Sequence, residues 1–75
     1  MDIRSYLLEN NFKITMSKNY IDIINYNSIE NVNSNNIILK LEQGKLAING
    51  NNLVIKKLLN DEIVIIGSIN SVEFR

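Results

Sequence analysis

From Phe12 onward the apolar side chains take a period of two, the spacing of β-strands. Phe12, Ile14 and Met16 alternate with Lys13 and Thr15. Between Tyr20 and Tyr26, Ile21 and Ile23 take one face, and Tyr20, Ile24 and Tyr26 the other. Ile37, Leu39 and Leu41 alternate with Ile38, Lys40 and Glu42, and Ile63 and Ile65 with Val64 and Ile66. Residues 25–36 are rich in Asn and Ser around Ile29 and Val32, which reads as a turn, a short strand and another turn. The fold class expected is all-β: a meander of six or seven short antiparallel strands, arranged as a small sandwich, a roll or a partly open barrel.

Helical spacing occurs near the start. Ile3, Leu7 and Leu8 fall on one side of a helix over residues 2–10, with Asp2 placed to suit its dipole. So short a helix is marginal alone and needs a surface to dock on. The organisation expected is a short N-terminal helix or arm over 1–11 and a single β domain over 12–75.

Glycine and asparagine mark the expected turns. Gln43-Gly44 fits a two-residue hairpin loop, with Gly supplying a positive φ. That register sets Leu41 opposite Leu46 and Leu39 opposite Ile48. Asn49-Gly50-Asn51-Asn52 reads as a four-residue loop placing Ile48 opposite Leu53, and Asn60-Asp61 and Gly67-Ser68 as further turns. Gly44, Asn49, Gly50 and Gly67 are thus the turn-forming residues expected.

Two segments, around Ile37–Leu39 and Ile63–Ile66, are apolar on both faces. Strands of that kind are usually covered on both sides. Either the sheet covers its own second face, or Ile24, Ile38, Val54, Val64 and Ile66 form an interaction face for another chain. Size sharpens the question, because 75 residues bury a small core and no cysteine is present to staple it. Chains of this kind often lean on oligomerisation, so a homo-oligomer is expected.

Charge and chemistry narrow the function. Eight basic residues balance eight acidic ones and are scattered, with only Lys56 and Lys57 adjacent, so nucleic acid is a poor partner. That Lys pair reads as an anionic-partner cue or as a guard on a sheet edge. No apolar run approaches the length of a membrane span, and Met1–Tyr6 lacks the pattern of an export signal, so neither membrane insertion nor export is expected. Fourteen Asn and fourteen Ile read as the product of an AT-rich genome.

Without His or Cys there is no imidazole base, no thiolate and no common zinc arrangement. The serines sit in or near turns, and the neighbours Asp61 and Glu62 point to opposite faces of a strand. The three glycines are separated by strands and form no phosphate cradle. The expectation is a non-enzyme with no catalytic residue, no metal and no cofactor.

One ordered series goes further. Gly44-Lys45-Leu46-Ala47-Ile48-Asn49-Gly50-Asn51-Asn52-Leu53-Val54-Ile55 fits the pattern G-x-L-x-I-x-G-x-x-L-x-I. Glu62-Ile63-Val64-Ile65-Ile66-Gly67-Ser68-Ile69 and a final Val72-Glu73-Phe74 follow it. On these residues the stretch from Tyr20 to Phe74 resembles the YabP/YqfC family of endospore-formation proteins, its YqfC branch in particular. The N-terminal region here is shorter and less basic than that family's pattern.

The resemblance implies a non-catalytic structural or assembly protein required for endospore formation in a Firmicute. It implies action through protein–protein contacts at the developing spore, together with a YqfD-like membrane protein. It also implies residence in the mother-cell cytoplasm, or at the periphery of the outer forespore membrane through that partner. It carries no active-site residues. The rival reading is a small-ligand or glycan-binding β module, for which Tyr20 and Tyr26, on one strand parity, would be a platform.

Overall fold

The alternating segments form six strands: β1 (Lys13–Ser17), β2 (Tyr20–Ile24), β3 (Ser28–Val32), β4 (Asn36–Lys40), β5 (Lys45–Leu58) and β6 (Glu62–Phe74). The structure is a computed structural model and describes residues 12–75. The expected N-terminal helix lies outside the described residues. All pairings are antiparallel, in one sheet of order β1-β2-β6-β5-β4-β3. The all-β expectation holds, but the simple meander does not. The chain leaves β2 to build β3 at the far side of the sheet, and β2 pairs with β6 instead.

The second departure is the length of β5 and β6, at 14 and 13 residues. Asn49–Asn52 and Gly67-Ser68 are not turns; both lie inside these strands. There the ribbon is broken by register shifts at Asn49/Gly50, Asn51/Val54 and Ile55/Lys57, where bulges bend and twist it. Asn52 takes φ 57° and Gly67 φ 138° at this bend.

The two glycines are there for close approach. A Cβ on Gly50 would lie 2.0 Å from the carbonyl oxygen of Ser68, and one on Gly67 would lie 2.6 Å from that of Asn52. Backbone groups freed from the ladder at the bend are satisfied by two hairpin turns. Gly67 and Ile69 donate to the carbonyls of Asn19 and Lys18, each at 3.0 Å. Gly50 and Leu53 donate to those of Asn35 (3.0 Å) and Ser34 (2.8 Å).

Gly44 does form a turn, at φ 93°, but the loop is longer than expected. Leu39 faces Leu46 and Ile37 faces Ile48, so Leu41–Gly44 make the connection, with the Leu41 amide donating to the Gly44 carbonyl at 2.9 Å. The register moves by an even step, and every side chain keeps its face.

The bend divides the sheet into two halves, and the inner faces of both contribute to one core. Ile21, Ile23, Ile63 and Ile65 from one half, and Ile37, Leu39, Leu46 and Ile48 from the other, join one cluster and are fully buried. A flat, uncovered sheet could not hide them. On the outer face of the second half, a ladder of side-chain amides crosses four strands. Asn31 donates to Asn36 (3.1 Å), Asn36 to Asn49 (2.6 Å) and Asn49 to the Ser71 hydroxyl (3.2 Å).

Candidate interaction surface

Because inner positions alternate with outer ones, the core residues of β2 and β6 leave Tyr20, Asp22 and Ile24 and Glu62, Val64 and Ile66 pointing outward. Register lines them up in rows: Tyr20 beside Ile66 beside Val54, Asp22 beside Val64 beside Lys57, and Ile24 beside Glu62. The first row is apolar and open, with Tyr20 38% exposed, Ile66 37% and Val54 55%. Ile24 and Val64 are half-buried within the same patch. Four of the five residues expected to form an interaction face therefore share one surface. Ile38 does not join them. It sits on the outer face of β4, opposite Asn31 and Ala47 in the other half of the sheet.

Of the turn-forming set, Gly44 closes a loop, while Asn49, Gly50 and Gly67 belong to the bend of the β5–β6 ribbon. Asn49 also serves the amide ladder.

The patch holds a pair that strand neighbours alone did not reveal. Asp22 and Glu62, from neighbouring strands, bring two carboxyl groups together on this face. Glu62 is held above its ordinary value of 4.5, first by hydrogen bonding with the Asp22 carboxyl group, then by burial and the Asp22 charge, while Lys57 opposes the shift. Lys57 lies 3.7 Å from Glu62. Among the described residues, the Oδ1 of Asp22 is buried with no hydrogen-bond partner.

A carboxyl group with a raised pKa in the fold binds its proton more tightly there than in the unfolded chain. Its contribution to stability is therefore present at low pH and is lost as pH rises through the raised value. Urea unfolding from about pH 4.5 to pH 7 is expected to show the wild type losing stability on this account. Glu62→Gln, which keeps a hydrogen-bonding group without the charge, should flatten that slope and be the more stable of the two at pH 7. Parallel profiles for the two proteins would refute the raised Glu62 value.

Tyr20 and Tyr26 do not form a platform. Asn25 adopts φ 70°, which breaks the strand parity. Tyr26 then turns inward, is 9% exposed, and donates its hydroxyl to the Leu59 carbonyl at 2.8 Å. Burial raises the Tyr26 pKa, and the Asp61 charge adds to it. An open groove of about 580 Å³ lies beside it, lined by residues that include Ile29, Leu58, Leu59 and Asn60. Neither Asp22 nor Glu62 lines this groove. Among the described residues, no group of three or more His, Cys, Asp or Glu could hold a metal ion, and no helix is long and apolar enough to cross a membrane.

No curated protein and no solved structure matches the chain. A family model described as YabP family matches residues 8–75, which takes in all six strands, the bend and the outward-facing patch. The chain belongs to the YabP family.

Proposed function

We propose that this chain is a non-catalytic assembly protein of endospore formation, which works by binding a YqfD-like membrane protein and further copies of itself. Membership of a family associated with sporulation supports the setting. The observation that carries the mode of action is the outward row of Tyr20, Ile66 and Val54, apolar and open to solvent on a chain of 75 residues. Such a patch is costly to leave in water and marks a surface built for contact. The mother cell, at the outer forespore membrane, is the compartment this reading assigns.

The test uses Ile66→Asp, at a position 37% exposed on that row. The variant should stay within about 1 kcal/mol of wild-type stability, as surface substitutions do. In sporulating cells it should fail to retain the YqfD-like membrane protein and should lower the yield of spores. Wild-type capture and normal spore yield with Ile66→Asp would remove the patch from the function. Normal sporulation in cells lacking the chain would remove the function itself.

A further inference from the structure

We propose that two copies of this chain pair antiparallel along β1, with Thr15 facing Thr15 of the second copy across a two-fold axis, so that their sheets become continuous. This rests on the self-association proposed above and names its surface. An edge strand with free backbone groups is a template for another strand unless something blocks it.

Among the described residues, the other edges are blocked. β3 breaks register between Ile29 and Asn31, and Glu30 is tied to Lys45 at 3.0 Å. The end of β5 breaks register at Ile55/Lys57. The end of β6 skips Asn70, since Ile69 faces Gly50 and Ser71 faces Asn49. β1 runs through five consecutive pairs with β2 without a break, from Lys13↔Ile24 to Ser17↔Tyr20.

The β1 sequence suits itself as a partner. Centred on Thr15, the pairing sets Lys13 opposite the partner's Ser17 and Ile14 opposite the partner's Met16. Like charges never meet, apolar residues face apolar residues, and Thr–Thr is a favourable cross-strand pair. A shift of one residue would join the inner face of one copy to the outer face of the other. A shift of two would leave one end of each strand without its counterpart.

Met16 adds a reason for the second copy. It pairs with Ile21 and so faces the core side, yet it is 49% exposed. The partner's Ile14 would cover it.

The experiment combines light scattering over a range of concentrations with cysteine cross-linking on the full chain, which has no cysteine of its own. Wild type is expected to be a dimer. Thr15→Cys, at an exposed position, should oxidise to a covalent dimer, while Val32→Cys on the β3 edge should not. Thr15→Lys puts like charges face to face and should raise the dissociation constant roughly fivefold or more. Cross-linking no greater at Thr15 than at Val32, or an unchanged mass for Thr15→Lys, overturns the β1 pairing while an oligomeric wild type keeps self-association standing. A wild type that is monomeric throughout overturns both, and leaves the membrane partner as the remaining part of the proposed function.

Discussion

Ile65→Asp is expected to abolish cooperative unfolding: the variant should show no native baseline in urea at 25 °C, by circular dichroism or by fluorescence. Ile65 is fully buried, faces Ile21 on β2 and Ile55 on β5, and belongs to the cluster that joins the two half-sheets. An aspartate there would carry a charge into an apolar layer with nothing to pair with, or take up a proton at neutral pH; either costs several kcal/mol. A domain of this length has only about 4–11 kcal/mol in total to lose. The neighbouring Ile66→Asp points the other way and should leave the transition in place. If both variants unfold alike, the outward row is part of the core. If neither unfolds, the assignment of inner and outer faces is wrong.

That contrast rests on the part of the structure most legible in the sequence. Alternation at Ile63–Ile66 and at Ile37–Leu39 separates inner from outer positions, because a strand has no other way to place successive side chains. Even the shifted register of the β4–β5 hairpin keeps this division, since its error is an even number of residues. The bend was not legible. Asn49-Gly50 and Gly67-Ser68 carry the same cues whether the chain reverses or merely kinks, and what separates the cases is non-local. Gly50 is small because the Ser68 carbonyl lies against it, and Gly67 because that of Asn52 does. Pairing of β2 with β6 is equally remote in sequence.

At the site, Ile24, Val54, Val64 and Ile66 could be grouped from parity, but Ile38 could not be separated from them without knowing where the sheet folds over. Tyr26 left its expected face because one Asn before it adopts a left-handed conformation, which Asn tolerates better than most residues. The Asp22–Glu62 pair needed the β2–β6 register, and two carboxylates 40 positions apart gave no sign of it.

The bend itself supports the second large prediction. Gly50→Ala and Gly67→Ala should each destabilise the fold by about 1–3 kcal/mol, the range for overpacking against backbone and, at Gly67, for a side chain held at positive φ. Neither clash can be relieved by a rotamer change, because the atom met is a carbonyl oxygen of the facing strand. The ribbon must open instead, and that loosens the bonds from the Asn19 and Asn35 turns which close the bend. Both substitutions strain the same few residues, so they should not add. Once one has opened the ribbon, the second meets less resistance, and a double-mutant cycle should return a coupling of about 1 kcal/mol or more, with the double variant more stable than the sum predicts. Strict additivity would mean that the two glycines relieve separate strains, and that β5 and β6 do not bend as one unit. Small losses at both positions, below about 0.5 kcal/mol, would mean that the strands are not in close contact there at all. The continuous, bent pair of long strands would then have to be replaced by two separate hairpins.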